Sequence, residues 1–494
     1  MLIKIYKLNK LDIKFLSILF FYWLSINTGS KYINFNEISE FNFKYYFNFL
    51  RSILPYLLFV YFIIKFKIYL SSIFNKDLFY ICFYLYGVIQ IIGLFFSVNY
   101  FYEHYWVICL FSILIFFQKI QEKKDSDLVN LIFLANIYIT FVIFLLFISI
   151  AIKENFFSYN LLYHSKSFNY ELAGEYFPRS SGVSRMALVL FFFFNALYFA
   201  NIFKRKIQLL IISTNGLLIF IIFLLQSRAV ILFYLISYLI INFAFTFNNF
   251  KQRLIFYLFT IIIPAVLFFS YPISKNYFIE KLDVKNENFY GEPLDKNNFM
   301  RNDFLLKENK SNFSENIASI SNNRVEAWKY LLQVFLNGEL NDQMKIKVLM
   351  QGYEPKEKYI DGYERYIFGL GPQADRYLMK LKKENKGLAK SSVGPFGAHA
   401  SNIFIYSLIC GGFLSFLIFI ILNLFILVKI LKIIKYHKEI DLFKNYILIS
   451  SIFIIFFLLF RGLIENSYGV FGVDLILMIS SYTVLSNNLS KIDE

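Results

Sequence analysis

Three arginines stand where long apolar segments begin or end, an unusual place for a charged side chain. Arg185 follows residues 180–184, Arg228 lies in a short turn between two apolar segments, and Arg461 closes another segment. Arginine is costly at membrane depth and tends there to face a cavity or a partner. Its planar guanidinium also matches phosphate oxygens with two parallel hydrogen bonds. These positions predict an anion site, although snorkelling to lipid head groups, or an ion pair of Arg461 with Glu465, is the simpler explanation of any one arginine.

Arg324 and His399 offer two further candidates. Arg324 falls in the first turn of a predicted helix, where the helix dipole disfavours a cation. A bound anion there would be held by the free N–H groups and the guanidinium together, whereas a solvated surface arginine is the alternative. His399 stands just before an apolar segment, where a neutral imidazole can act as a general base near pH 7. The alternative for His399 is an interfacial polar residue without a chemical role.

The other reactive side chains form no recognisable site. The four histidines lack a paired metal-ligand spacing, and neither a glycine-rich phosphate loop nor a Ser/His/Asp signature occurs. The three cysteines lie in apolar runs and are expected to be small core residues; they are Cys82, Cys109 and Cys410. We therefore expect no cofactor, and chemistry on an anion would use arginines and dipoles without a protein-bound metal.

The elements that must position these residues are membrane helices. Of 494 residues, 58% are hydrophobic and 17% charged, and the apolar residues come in long unbroken runs. Soluble domains are about one quarter charged, so the composition excludes a soluble enzyme, a disordered chain and a fibrous protein. A spanning segment needs about 20 apolar residues and must be helical, because lipid offers no partner to backbone groups. Twelve such segments lie near 11–27, 52–70, 78–98, 102–118, 128–152, 183–203, 207–226, 228–247, 254–272, 402–428, 445–461 and 469–487.

The net charge of +16 is better explained by membrane topology than by nucleic-acid binding. One set of connecting segments carries 21 Lys and Arg residues and the opposite short loops carry nine, so the richer side is expected to be cytoplasmic. Both termini then lie inside. Lysines precede the first apolar run without a small-residue cleavage site, which indicates an uncleaved helix and not a signal peptide.

The predicted fold is an all-α polytopic membrane helix bundle divided by one large loop. Residues 1–271 hold nine predicted helices, 272–401 form an extracytoplasmic loop domain, and 402–494 hold three more helices. A segment of 130 residues is exempt from the charge rule and is long enough to fold. Its clearest element is a helix beginning after Asn323, with an apolar stripe at Val325, Trp328, Leu332 and Phe335.

Five motifs follow one another along the chain: Ser227-Arg228 at a helix junction, Arg324-x-x-x-Trp328 and Gly369-x-Gly371 in the long loop, His399 before a helix that contains Gly412, and Arg461 near Glu465. In this order, the motifs resemble those of the bacterial O-antigen ligase and O-antigen polymerase superfamily of inner-membrane glycan enzymes. The similarity spans roughly residues 175–475. In the family, Asn or Ser usually follows the histidine directly. Here Ala400 follows His399, and Ser401 or Asn402 falls nearer the expected register.

The resemblance implies a metal-independent glycosyltransferase whose donor is a glycan on undecaprenyl pyrophosphate. Arg228, Arg185 and Arg324, with Arg461, would hold the pyrophosphate, and His399 would activate the acceptor hydroxyl. Nearby polar groups would contact the acceptor or support the site; they are Ser401, Asn402 and Glu465. As a polymerase, the enzyme would join one lipid-linked unit to another. A ligase acting on a lipid A core is the alternative, and a glycan flippase or transporter is a third.

The same resemblance implies the protein's surroundings. The enzyme would lie in the bacterial inner membrane with its large loop in the periplasm. Its partners would be the lipid-linked glycan, the bilayer, and flippase and chain-length regulator proteins, with no nucleic acid.

Overall fold

The computed structural model describes residues 10–26, 43–66, 77–96, 103–153, 180–225, 228–244, 255–267, 270, 324–337, 363–376, 378, 400–435 and 445–493. Within these ranges every regular element is helical and no strand occurs. The helices are α1 (Lys10–Ser25), α2 (Phe43–Phe66), α3 (Leu78–Gly93), α4 (His104–Glu122), α5 (Ser126–Lys153), α6 (Ser180–Ala200), α7 (Arg205–Leu224), α8 (Arg228–Ala244), α9 (Ile255–Leu267), α10 (Arg324–Asn337), α11 (Glu364–Phe368), α12 (Ile403–Lys435), α13 (Tyr446–Gly462) and α14 (Val473–Asp493).

The helices have the length and apolar surface of membrane helices. Among the described residues, six are long and apolar enough to cross a bilayer: Tyr46–Lys65, His104–Glu122, Ser126–Ser149, Gly182–Ala200, Arg205–Leu224 and Ile403–Lys435. Large apolar side chains such as Leu57 and Ile64 of α2 point outward, where water would not stabilise them. The described part of the chain is thus all-helical, with six candidate membrane-spanning helices.

Each of the twelve predicted segments overlaps one of these helices, but several bounds differ. The second helix begins at Phe43, nine residues before the predicted segment 52–70. Charge at Arg51 hides this start from a hydropathy pattern. In the structure the Arg51 guanidinium donates to the carbonyl oxygens of Leu24 and Ile26, at 2.6 and 2.8 Å, and so caps the end of α1.

The middle of the bundle is a closely packed aromatic and aliphatic core. Helix α3 packs against α4 and α12, and α6 packs against α5, α7 and α13. The rings of Phe79 and Tyr482 stack with centroids 3.7 Å apart, which joins α3 to α14. All three cysteines are buried and free, which confirms their predicted role as core residues.

One end of the bundle is held together by Asp77, Lys429, Tyr482 and Ser486, and we call it the lysine end. The Asp77 carboxylate accepts hydrogen bonds from Lys429 Nζ at 2.7 Å, from Ser486 Oγ at 3.1 Å and from the Tyr482 hydroxyl. Asp77 also caps the N-terminus of α3. The start of α3 therefore meets the ends of α12 and α14, which places the starts of α12 and α14 at the opposite end.

Helix α12 is broken at Gly412. The φ of Gly412 is +67° and its ψ is −169°, a conformation that only glycine adopts readily. The break leaves carbonyl groups of the preceding turn without helical partners. Those of Ile409 and Cys410 accept hydrogen bonds from the backbone N–H groups of Leu370 and Gly371, at 2.8 and 3.1 Å.

The segment that closes this break, residues 368–375, comes from the long loop. A methyl group on Gly369 would lie 2.4 Å from the nitrogen of Gly411, and one on Gly93 of α3 would lie 2.8 Å from the oxygen of Phe368. The Gly-x-Gly motif thus lies between α3 and α12, where only glycine allows such close backbone contact. A methyl group on Gly412 would lie 2.3 Å from the oxygen of Ile367, just before this segment, and Gly412 interrupts its own helix.

Candidate functional site

Two of the predicted arginines meet at the end of the bundle opposite the lysine end. Arg185, in the second turn of α6, donates from Nη1 to Oδ1 of Asp474 at 2.8 Å. Arg461, in the last turn of α13, donates from Nε to Oδ2 of the same carboxylate at 2.9 Å. Ser467 Oγ donates to Oδ2 at 3.2 Å. We call Arg185, Arg461 and Asp474 the arginine cluster, and this end of the bundle the arginine end.

The arginine cluster carries two positive charges and one negative charge in a sheltered place. Side-chain exposure is 17% for Arg185 and 9% for Arg461, so water screens these charges less than on an open surface. Each guanidinium meets Asp474 through a single nitrogen. The buried Nε of Arg185 has no hydrogen-bond partner among the described residues. The three residues carry one excess positive charge, which the nearby Glu465 offsets, and they retain N–H donors that suit an anion.

The connection between α13 and α14 shapes the cluster. The Tyr468 hydroxyl donates to Asn423 Oδ1 of α12, and the Tyr86 hydroxyl of α3 donates to the backbone oxygen of Gly469 at 3.0 Å. Burial raises the pKa of the Tyr468 phenol, so it stays a neutral donor at physiological pH. The turn that holds Ser467 beside Asp474 is thus fixed to two other helices.

Beside the arginine cluster lies the start of α12, at Ala400, Ser401 and Asn402. Ser401 is buried and has a left-handed φ of +51°, so the chain turns sharply into the helix. Asn402 Oδ1 accepts from the N–H groups of Phe404 and Ile405 at 2.9 and 3.0 Å, the geometry of a helix N-cap. The side chain of Asn402 thereby caps the first turn of α12.

Asn466 links this helix start to the α13–α14 connection. Its Oδ1 accepts from the Asn402 N–H at 3.3 Å, and its Nδ2 donates to Asp375 Oδ2 at 3.3 Å. Asn402 Nδ2 in turn donates to the Leu463 carbonyl at 2.8 Å. Because Asn466 directly precedes Ser467, the arginine cluster and the start of α12 form one connected polar layer.

A further arginine at this end, Arg365, has a structural role. It is buried, and its Nε and Nη2 donate to the carbonyl oxygens of Phe335 and Leu336 at 2.7 and 3.0 Å. These carbonyls belong to the last turn of α10, so Arg365 caps that helix. The contact holds α10 against the segment that closes the break in α12.

The structure brings only some of the predicted site residues together. Arg185 and Arg461 meet in the cluster, and Asn402 and Ser401 lie in the adjoining layer. Glu465 is half-buried; its N–H donates to the Arg461 carbonyl at 2.8 Å, and its charge acts on Arg185. The simpler explanation of Arg461 was an ion pair with Glu465. In the structure Arg461 forms its ion pair with Asp474 instead.

Three predicted residues lie partly or wholly outside the described part of the chain. Arg228 and Arg324 are the first residues of α8 and α10, but their side chains are not among those described. His399 lies outside the described residues. The rings of Phe233 in α8 and Phe460 in α13 are 6.3 Å apart, so the start of α8 lies near the end of α13 that carries Arg461.

Sequence reasoning missed the two carboxylates on which this layer depends. Asp474 stands in the first turn of the last apolar segment, and an acid at membrane depth carries the same signal that singled out the arginines. Asp375 follows the Gly-x-Gly motif in a polar stretch, where one more acidic residue gives no signal. Only the tertiary structure shows that it is fully buried.

Comparisons with known proteins add no further information. No protein-family model, no curated protein and no solved structure matches this chain.

Proposed function

We propose that the protein is a membrane glycosyltransferase that polymerises oligosaccharide units carried on undecaprenyl pyrophosphate. Its twelve apolar segments would all span the bacterial inner membrane, with both termini in the cytoplasm and residues 272–401 in the periplasm. The reaction would take place at the outer face. The order of motifs from Ser227-Arg228 to Arg461 supports this proposal, and the arginine cluster is the observation that carries it.

The arginine cluster suits the leaving group of such a reaction. An acceptor hydroxyl would attack the reducing-end sugar carbon of the donor, and the bond from that carbon to the pyrophosphate oxygen would break. Negative charge then grows on the pyrophosphate, and positioned donors stabilise it most in a sheltered site. Arg185 and Arg461 are held from two helices, and the buried Nε of Arg185 has no hydrogen-bond partner among the described residues. Arg228 and Arg324 would complete the binding site, and His399 would take the proton of the acceptor hydroxyl.

A ligase would use the same donor chemistry with a different acceptor, such as a lipid A core. A transporter is the candidate from another class, and the break in α12 bears on it, since discontinuous helices often bind ions or substrates in transporters. In this chain Leu370 and Gly371 already bond the carbonyl groups of Ile409 and Cys410 next to the break. Those carbonyls are therefore less suited to an ion, which favours an enzyme.

The test is polymer formation by the purified protein in nanodiscs, supplied with lipid-linked glycan extracted from the membranes of its host. We expect the wild type to produce a ladder of longer glycans. Arg185→Lys and Arg228→Lys should lower the rate about 10²–10³-fold, since lysine keeps the charge but loses the two-point contact with phosphate.

The matched control is Lys429→Arg at the lysine end, which exchanges the same two residue types in a buried ion pair. It should extend glycans at close to the wild-type rate. Near-normal polymer length in both Lys variants, at normal protein levels, would refute the pyrophosphate site. Transfer to a lipid A core without extension would identify a ligase.

A further inference from the structure

Asn466, in the connection between α13 and α14, joins three segments that are far apart in the chain. It is buried, its Nδ2 donates to Oδ2 of Asp375 at 3.3 Å, and its Oδ1 accepts from the Asn402 N–H at 3.3 Å. Its carbonyl oxygen accepts from the Gly469 N–H at 2.9 Å, which closes a turn around Ser467. Both polar atoms of the Asn466 side chain therefore hold other segments in place. We call Asn466, Asp375 and Asn402 the Asn466 junction.

Asp375 anchors the long loop in this junction. Its side chain is fully buried, and a buried carboxylate is costly unless it is well satisfied. Besides Asn466, Oδ2 accepts from the Ala400 N–H at 2.7 Å, and the Ala400 carbonyl accepts from the indole Nε1 of Trp328 at 2.6 Å. A carboxylate is a stronger acceptor than a neutral oxygen. One side chain thus ties residues 368–375 to the start of α12 and to the α13–α14 connection.

Left-handed backbone conformations gather around the junction. Among the described residues other than glycine, five have a positive φ; Lys124 and Asn201 stand just after α4 and α6, an ordinary place for one. The other three are Gln373 at +61°, Ser401 at +51° and Ser467 at +35°, each within two residues of a member of the junction. Such strain persists only where surrounding contacts hold it, and it is frequent at functional sites. The junction therefore holds three segments in conformations that they would not adopt alone.

Ser467 connects the junction to the arginine cluster. Its Oγ donates to Oδ2 of Asp474 at 3.2 Å, and the same oxygen accepts from Nε of Arg461. The other oxygen of Asp474 pairs with Arg185. The orientation of this carboxylate sets where the two guanidinium groups lie, and it depends on the position of the Ser467 hydroxyl. Because Ser467 directly follows Asn466, release of Asn466 would displace that hydroxyl.

We propose that Asn466 is a positioning residue of the anion site, which couples the docking of residues 368–375 to anion binding at the arginine cluster. The inference rests on the proposed function, because the anion is the pyrophosphate of that reaction. Asn466 touches no atom of the anion; it acts through Ser467 and Asp474. Coupling between two sites is reciprocal, so anion binding should in turn stabilise the docked loop segment.

The size of the effect follows from the hydrogen bonds that are lost. One neutral hydrogen bond changes an equilibrium constant about fivefold. Ser467→Ala removes only the hydroxyl and should weaken pyrophosphate binding by that amount. Asn466→Ala removes both junction bonds and releases Ser467, so a loss of about tenfold is expected.

A charge substitution tests the contact between Asn466 and Asp375 directly. Asn466→Asp replaces the donor by a second carboxylate that faces Asp375, and like charges in contact repel. It should weaken pyrophosphate binding more than Asn466→Ala does. Adding Asp375→Asn removes one of the two facing charges and should restore part of the loss, as expected for residues in contact.

The experiment measures binding of inorganic pyrophosphate to the full-length protein in nanodiscs by titration calorimetry, with sodium chloride at matched ionic strength. Amide exchange in the peptide that contains residues 370–376 is followed with and without pyrophosphate. The matched control is Asn136→Ala, which removes another buried asparagine with two side-chain bonds. Its Oδ1 accepts from Trp23 at 2.8 Å and its Nδ2 donates to Ser480 at 3.0 Å. This variant should lose stability but bind pyrophosphate as the wild type does.

Weaker pyrophosphate binding in Asn466→Ala and Ser467→Ala, but not in Asn136→Ala, would support the proposal. Pyrophosphate should also slow exchange at residues 370–376 in the wild type and in Asn136→Ala, and have little effect there in Asn466→Ala. Equal affinity of Asn466→Ala and the wild type, or exchange at residues 370–376 that ignores pyrophosphate in a wild type that binds it, would overturn the inference alone. If Asn466→Ala does not fold, Ser467→Ala against Asn136→Ala decides by the same measures. A wild type that binds no pyrophosphate would refute the anion site of the proposed function, and this inference with it.

Discussion

Asp474 places one negative charge between the guanidinium groups of Arg185 and Arg461. Without that carboxylate, the two sheltered positive charges would lose the ion pair that each of them makes with it. Removing one member of a buried ion pair typically costs about 3–5 kcal/mol, because the remaining charge stays desolvated. The same residue that stabilises the arginine end thus also holds both arginines in place for the anion of the proposed reaction.

We predict that Asp474→Asn lowers the apparent melting temperature of the protein in detergent, by an amount that inorganic pyrophosphate largely restores. The variant keeps the size of the side chain but loses its charge, so an added anion can compensate the two arginines and stabilise the folded state by binding to it. Thermal unfolding is followed by tryptophan fluorescence, with sodium chloride at matched ionic strength as the control.

The wild type should show a smaller stabilisation by pyrophosphate than this variant, since Asp474 already occupies part of the site. A melting temperature of the Asn variant that responds equally to pyrophosphate and chloride would contradict a specific anion site. An unchanged melting temperature without ligand would show that the two arginines do not depend on Asp474.

At the scale of elements, the broken helix α12 connects the long loop to the bundle. The backbone N–H groups of Leu370 and Gly371 replace the helical partners that the break removes. Each side supplies glycine, because Gly369 and Gly412 approach too closely for any side chain and both have left-handed φ values. The broken conformation of α12 therefore depends on its hydrogen bonds with residues 368–375, and the position of residues 368–375 depends on the same hydrogen bonds.

We predict that Gly412→Ala destabilises the protein by about 1–3 kcal/mol, the usual cost of a residue held in such a backbone conformation. A methyl group there would also meet the Ile367 oxygen at 2.3 Å, which forces the loop segment away from α12. The measurements are the apparent melting temperature in detergent and amide exchange in residues 366–371, which should become faster.

The control for this substitution is Gly472→Ala, whose new methyl group would have no neighbour closer than 4.0 Å. Gly472 stands just before α14, and its φ is not in the left-handed region. Its variant should unfold close to the wild-type temperature. Equal behaviour of the two variants would show that the conformation at Gly412 carries no strain.

At the scale of the whole molecule, the two ends of the bundle carry different chemistry. The lysine end pairs Lys429 with Asp77, whereas the arginine end gathers two arginines around one acid. Charge bias in the sequence predicts that the lysine-rich segments lie in the cytoplasm. The arginine end would then face outward, on the side that the proposed reaction requires.

We expect reporter fusions at Asn298 and at Lys435 to lie in opposite compartments. A phosphatase fusion should be active only at Asn298, in the long loop, and a fluorescent cytoplasmic reporter only at Lys435, at the end of α12. Activity of one reporter at both positions would contradict the twelve-helix topology and would place the arginine end on the wrong side for the proposed reaction.

The amino-acid sequence by itself determined where helices form. Apolar segments of spanning length would permit no other backbone structure in lipid, and each of the twelve segments overlaps a helix of the structure. The arginines were also recognisable, because a charge at membrane depth needs a partner or a function wherever it occurs. Helix bounds were less certain, as at Arg51, since a charged side chain ends an apolar run even when it caps a neighbouring helix.

The tertiary structure alone decided which residues meet. Asp474 lies 289 positions from Arg185, and Trp328 lies 72 positions from Ala400, so no local pattern links them. Periodicity and hydropathy describe one segment at a time, whereas ion pairs and the closing of a broken helix depend on how separate segments pack. The burial of Asp375 is of the same kind, because a lone acid in a polar stretch becomes costly, and informative, only once the fold has removed its water.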